Sequence, residues 1–286
     1  MSLAAYIFRK NCTKSDTERD AGLTTPPQVV RYDNLIYGSD TKWQSLDLYC
    51  PKAQSGSLPV IVSFHGGGWV YGTKETYQFY CMDLARRGFA VINYNYRLAP
   101  GNRFPAPLED TNLVFRWLQE HAGEYALDLS RLFAVGDSAG ALGIVLYACI
   151  LTNPDYAAQY SFRAPDGLCI RGLGLNCGMY TVLDKERALR DFLPKKRRTE
   201  TLPLLHAVDH ITAAFPPSFV MTANADFLRH EPQYLTDVLD RLHVPYHFRM
   251  YGDEAQPLGH VFHCNIRTEA ARTVNDDECA FFRSLL

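Results

Sequence analysis

The sequence predicts an α/β protein, a single mainly parallel sheet with helices on both faces and a small cap or lid insertion. Three observations predict it. Apolar runs of strand length alternate with helical stretches along most of the 286 residues. Two of those runs end in small-residue turns, His65-Gly66-Gly67-Gly68-Trp69 and Gly136-Asp137-Ser138-Ala139-Gly140. The length and an apolar content of 47% suit one large core rather than several.

In chain order, Met1 to Lys10 lacks the long apolar stretch of a signal peptide, so no leader is expected. Residues 11–28 are polar and charged and end in Pro26-Pro27. They read as a linker or loosely packed arm over the mouth of a site. Residues 1–28 thus form an N-terminal arm, with part of a cap as its open role. The catalytic domain spans 29–286, with 180–210 as a lid or cap insertion. Residues 29–37 and 44–49 resemble two antiparallel strands joined around Gly38-Ser39-Asp40. Leu58-Pro59-Val60-Ile61-Val62-Ser63-Phe64 is a strand, and Phe89-Ala90-Val91-Ile92-Asn93-Tyr94 another, after a helix ending near Gly88. Residues 108–121 carry Leu113, Trp117 and Leu118 at helical spacing, which suits core packing. Leu132-Phe133-Ala134-Val135 is a strand buried on both faces. Residues 141–151, apolar almost throughout, suit a buried helix. Later strands are 168–177, 217–223 and 246–251, and later helices are 232–242 and 269–285. No internal repeat is present.

Strand, tight turn and helix around Ser138 are the frame of a nucleophile elbow, which lifts a serine hydroxyl above the sheet edge near a helix N-terminus. A glycine-rich loop after a strand leaves backbone N–H groups free to face a substrate oxygen. Together the two motifs point to a serine hydrolase. A serine hydroxyl is a weak nucleophile and needs a base, and with such an elbow the chain order is Ser, then Asp or Glu, then His. Asn224-Ala225-Asp226 follows the strand 217–223, so Asp226 is the acid candidate; Asp209 precedes that strand, and Asp237 and Asp240 fall in the following helix. The base belongs on the loop after the last strand, where His260 and His263 compete. His260 is favoured, because Gly259 before it and Phe262 after it suit a loop tip over the site. His247 alternates with apolar residues in a strand and reads as structural, and His230 as a solvated helix-start residue.

The chain resembles the hormone-sensitive-lipase-like family of α/β-hydrolases, in its microbial carboxylesterase branch. The resemblance rests on the two turns above, on Tyr96-Arg97-Leu98-Ala99-Pro100, on Phe104-Pro105-Ala106-Pro107-Leu108-Glu109-Asp110, on Asp226-Phe227-Leu228 and on His260-Val261-Phe262. It runs from about Leu46 to the C-terminus. It implies the α/β-hydrolase fold, with Ser138 as nucleophile, His260 as base and Asp226 as orienting acid. It also implies an oxyanion hole built from the backbone N–H groups of Gly67, Gly68 and Ala139. Two departures concern the pocket: a short stretch before the first strands, where some members carry a helical cap, and a basic, polar segment at 185–206 centred on Lys195-Lys196-Arg197-Arg198. A solvated lid face is the favoured reading of that cluster, ahead of a clamp for acidic substrates and of a nucleic-acid patch.

Composition excludes several classes. The formal net charge of −2 carries no nucleic-acid or membrane signal, and no eighteen-residue apolar run exists. Eight scattered cysteines include no Cys-x-x-Cys pair, so neither a structural metal nor a cofactor is expected. Many sit in apolar surroundings and read as buried free thiols, which fits a cytoplasmic protein. Cys264 beside His263 lacks the frame of a thiol catalyst. The expected function is hydrolysis of small, short-acyl esters through a covalent acyl-enzyme. Sugar-ester deacetylation and amide or formamide hydrolysis are alternatives with the same machinery. A non-catalytic small-molecule receptor is the alternative of another class. The expected partner is a small-molecule ester, with no nucleic acid and no membrane span, and a homodimer is the open oligomeric option.

Overall fold

The structure is a computed structural model and describes residues 1–53, 56–182, 189–193 and 198–286. In chain order it contains α1 (Leu3–Asp20), β1 (Val29–Ile36), β2 (Ser45–Pro51), β3 (Leu58–Phe64), α2 (Lys74–Ala85), β4 (Ala90–Tyr94), α3 (Ala106–His121), β5 (Leu127–Asp137), α4 (Ala139–Thr152), α5 (Pro154–Ala157), β6 (Gly172–Asn176), α6 (Leu189–Phe192), α7 (Arg198–Thr201), β7 (Ser218–Ala223), α8 (Glu231–Arg241), β8 (Tyr246–Tyr251) and α9 (Glu269–Arg283). The strands form one sheet in the order β1-β2-β4-β3-β5-β6-β7-β8. The β1–β2 and β2–β4 pairs are antiparallel, and all others are parallel. Each parallel neighbour needs a crossover, and the crossover helices cover both faces.

Side chains alternate across β3: Val60, Val62 and Phe64 enter one core and Ile61 the other. The first core takes in α3, α4 and α8, the second α2 and α9. Helix α4 is buried at every position from Ala139 to Ile150, which explains its apolar composition on all sides. Helix α9 is amphipathic and turns Ala271, Val274, Cys279 and Phe282 inward. No helix among the described residues is long and apolar enough to cross a membrane. All eight cysteines are free; Cys169 is exposed, Cys12 half-buried and the other six buried.

The N-terminal segment departs from expectation. It is not a linker but an 18-residue helix, α1, capped by the Ser2 side chain. Its inward face is largely polar, with the small Ala5 as its buried apolar residue, which hides it from an apolar-periodicity argument. Arg9 donates to the carbonyls of Val70 and Ala99, and Arg19 donates to Asp16 at 2.9 Å, to Asp20 at 2.7 Å and to the Thr76 carbonyl at 2.6 Å. The Ser2 backbone and hydroxyl also donate to Asp191 of α6, at 2.9 and 2.7 Å. The strand expected at 168–177 is confined to Gly172–Asn176. Of the basic cluster, Lys195, Lys196 and Arg197 lie outside the described residues, and Arg198 opens α7.

Candidate active site

Strand β5 ends at Asp137 and α4 begins at Ala139, so Ser138 occupies the turn between them, with φ 53° and ψ −120°. A residue with a side chain held at positive φ costs about 1–3 kcal/mol and persists only where its surroundings enforce it. Here the enforcement is close packing: a Cβ on Gly140 would meet the carbonyls of Phe64 and His65 at the end of β3. The Ser138 N–H donates to the Asn176 carbonyl at 3.1 Å, and its carbonyl accepts from the Met179 N–H at 3.2 Å, tying the elbow to the end of β6. Ser138 is half-buried at the start of a helix, where unpaired first-turn N–H groups favour negative charge. The N–H of Ala139 belongs to that first turn.

The glycine-rich loop leaves β3 beside this elbow. Gly67 adopts φ 112°, and a Cβ there would collide with the Tyr71 carbonyl. Val70 and Tyr71 N–H groups fold back on the Gly67 carbonyl at 3.1 and 2.9 Å, whereas the Gly67 and Gly68 N–H groups donate to nothing among the described residues. One fastening of this loop is not evident from spacing. The Gly66 N–H is shared between Asp137 Oδ1 at 3.2 Å and the Tyr77 hydroxyl at 3.1 Å, and that hydroxyl donates to Asp137 Oδ2 at 2.7 Å. The residue before Ser138 thus holds the loop. Burial pushes the Asp137 carboxyl up to about 6, against the opposing pull of its Tyr77 hydrogen bond. His65 lies stacked on Tyr96 at 4.1 Å, and burial pushes it down to about 4, so it is neutral at neutral pH.

Asp226 follows β7 and is fully buried, while His260 arrives on the loop after β8 with 21% of its side chain exposed. His260 Nδ1 lies 2.9 Å from Asp226 Oδ1, which also accepts from the Leu228 N–H at 2.8 Å. Burial alone would raise the Asp226 pKa, but hydrogen bonds from His260, the Leu228 N–H and the Cys177 thiol, with the charge of His260, hold it below the usual carboxylate range. Phe227 packs its ring 4.4 Å from His260. His263 points elsewhere: it is fully buried with Nε2 beside the Cys264 thiol at 3.5 Å, and burial pushes it down to about 3. Cys264 belongs to the core. The remaining candidates are exposed, His230 at the start of α8 and His247 on the edge strand β8. Ser138, Asp226 and His260 therefore stand at the carboxyl ends of β5, β7 and β8, the edge of a parallel sheet where ligands bind.

A family model described as alpha/beta hydrolase fold matches residues 61–263, a span that holds both turns, Asp226 and His260. The chain belongs to that family. Among curated proteins similar to this α/β-hydrolase, an esterase of Gibberella moniliformis is 31% identical over 193 residues, 59% of this chain and 57% of its own length. An ethyl acetate hydrolase of Pseudomonas putida is 39% identical over 148 residues, 51% of this chain and 45% of its own. The chain thus spans about half the length of these relatives. Among solved structures, esterase B of Lactobacillus rhamnosis superposes with a TM-score of 0.87 at 24% identity, covering 99% of this chain and 94% of that one. It shares the α/β-hydrolase fold.

One residue at this candidate site escapes sequence reasoning altogether. Cys177, the residue after β6, brings its thiol to Asp226. Its ligand atom and those of Asp226 and His260 lie within 4.8 Å of one another, the cluster with metal-ligating potential among the described residues. Nothing in the spacing of positions 177, 226 and 260 signals that meeting.

Proposed function

We propose that the protein is a serine carboxylesterase acting on small, short-acyl esters through a covalent acyl-enzyme. The observation that carries this reading is the 2.9 Å contact of His260 Nδ1 with buried Asp226, at the sheet edge that carries the strained Ser138 elbow. With Nδ1 bonded to a carboxylate, Nε2 is the free lone pair. His260 takes the Ser138 proton as the hydroxyl attacks the ester carbonyl, then returns it to the leaving alcohol. Asp226 fixes the tautomer and stabilises the imidazolium. The N–H groups of Gly67, Gly68 and Ala139 receive the developing oxyanion, each contributing on the order of 3 kcal/mol. Water then repeats the attack on the acyl-serine.

The short-acyl preference draws support from the surroundings of the glycine loop. The Phe8 ring of α1 stands 3.8 Å from where a Gly68 side chain would begin, and Trp69 stacks on Phe192 of α6 at 4.2 Å. Phe104 closes on Phe192 at 5.8 Å. We read α1 and the 180–210 segment as one cap whose aromatic wall limits acyl length. The name of the ethyl acetate hydrolase among the relatives points the same way. The free thiols suit a reducing, cytoplasmic setting.

The test is hydrolysis of p-nitrophenyl esters from acetate to laurate, with Ser138→Ala as control. Rates peak at the shortest chains, and the variant loses at least about 10⁴-fold in kcat while keeping its fold. A Ser138→Ala protein that still turns over esters at the parent rate excludes the assignment. A peak at laurate removes the short-acyl restriction alone.

A further inference from the structure

The mechanism above leaves Cys177 unused, yet its placement is specific. It is fully buried and holds φ 47°, in the left-handed region that costs a side-chain-bearing residue energy. Its N–H donates to the Met221 carbonyl of β7 at 2.8 Å, so the backbone cannot drift away from the acid. This conformation aims the thiol at Asp226, and the sulfur, a carboxylate oxygen and an imidazole nitrogen come within 4.8 Å of one another.

Cysteine, histidine and carboxylate are the ligand types of zinc, and three protein ligands with an open fourth position is the arrangement of a reactive zinc site. Tetrahedral bonds of 2.0–2.3 Å set donors roughly 3.5 Å apart, so the 2.9 Å side between His260 Nδ1 and Asp226 Oδ1 must open slightly, and no side of the triangle, at most 4.8 Å, need move by much more than about 1 Å. His260 can supply that movement, being on a loop and 21% exposed, which also leaves a route in from solvent. A thiolate ligand selects soft cations and rejects Mg²⁺ and Ca²⁺.

We propose that Cys177, Asp226 and His260 form an inhibitory site for a thiophilic divalent cation such as Zn²⁺ or Cd²⁺. On binding, the Cys177 thiol releases its proton to solvent and the sulfur becomes a thiolate ligand. The cation takes the Nδ1 lone pair of His260, whose proton moves from Nδ1 to Nε2. No electron is transferred. An imidazole protonated at Nε2 cannot accept the Ser138 proton, and Asp226 is withdrawn from its orienting role. The inhibitory part rests on the proposed roles of Ser138 and His260; the binding part does not.

The experiment uses the full chain carrying Cys12→Ser and Cys169→Ser, which removes the two thiols that are not buried. Cd²⁺ is titrated while the ultraviolet cadmium–thiolate band and ester hydrolysis are followed in parallel. The expected result is one Cd²⁺ per chain, with band and inhibition sharing a midpoint and Mg²⁺ without effect. Adding Cys177→Ala abolishes the band and moves the inhibition midpoint up by at least about tenfold. Cys177→Ser, which keeps a hydroxyl donor to Asp226, does the same and guards against a folding defect in the alanine protein. Ser138→Ala retains the band. An unchanged midpoint in the folded Cys177 variants, or Cd²⁺ binding without inhibition, overturns the proposal. Turnover persisting in Ser138→Ala overturns the esterase mechanism instead, and the band still judges the site.

Discussion

His260 and His263 stand on the same loop after β8, and their surroundings differ. His260 touches both solvent and a buried carboxylate. His263 is fully buried, pushed down to about 3 by that burial, and bonds to no carboxylate among the described residues. We therefore expect His260→Ala to lose on the order of 10⁴–10⁶ in kcat, and His263→Ala to keep kcat within about tenfold when rates are referred to folded protein. Stopped-flow or steady-state kinetics on both variants checks it, and the reverse ranking moves the base to His263. The sequence points to Ser138, Asp226 and His260 because each follows a recognisable strand, and the structure brings the last two into hydrogen bond. Asp137, Tyr77 and Cys177 carry no such signal. Their partners are set by which strand ends meet, and those strands are far apart in the chain.

At the level of elements, α1 is the instructive case. Leu3, Tyr6 and Ile7 face solvent, and beside the small Ala5 and Cys12 the inward positions are Arg9, Asp16 and Arg19, so hydrogen bonds of the two arginines to carbonyls stand in for most of the usual apolar stripe. That inversion is why the segment reads as a loose arm in sequence. By contrast, β3 and β8 are legible to the residue, because apolar or alternating runs end there in polar and glycine positions. Removing the Arg9 side chain leaves the Val70 and Ala99 carbonyls without their donor. Arg9→Ala is expected to weaken the docking of α1 by about 1–3 kcal/mol. Limited trypsin digestion then cuts first at Lys10 and Lys14, well before the sheet domain is attacked. KM for short esters rises with it if α1 forms one wall of the pocket. Equal digestion rates for parent and variant argue that other contacts hold the helix.

Across the whole molecule, strand order is the feature sequence cannot supply, since the crossing from β2 to β4 to β3 rests on non-local pairing. A second such feature lies behind the elbow. Glu278 of α9 is buried beneath the sheet, where Oε1 accepts from Asn176 at 2.8 Å and Oε2 from the Tyr80 hydroxyl at 2.9 Å. Burial raises its pKa from the ordinary 4.5 to about 7, against the opposing pull of those hydrogen bonds. Between those values the folded chain keeps the proton and the unfolded chain has released it, so stability falls as pH rises. The contribution is complete below about pH 4.5, is lost by about pH 7, and amounts to about 3 kcal/mol. Thermal unfolding of Glu278→Gln should depend less on pH across that window and exceed the parent above it; a parallel pH profile in both proteins rejects the idea. The distribution of cysteines has its own practical consequence. With Cys169 alone exposed, a bulky thiol reagent labels one position on the native chain at once. Once half-buried Cys12 has also reacted, every later adduct must wait for some part of the fold to open, so the mass spectrum of a labelling time course becomes a clock for local unfolding, and the order in which the six masked sulfurs appear maps which layer of the protein yields first.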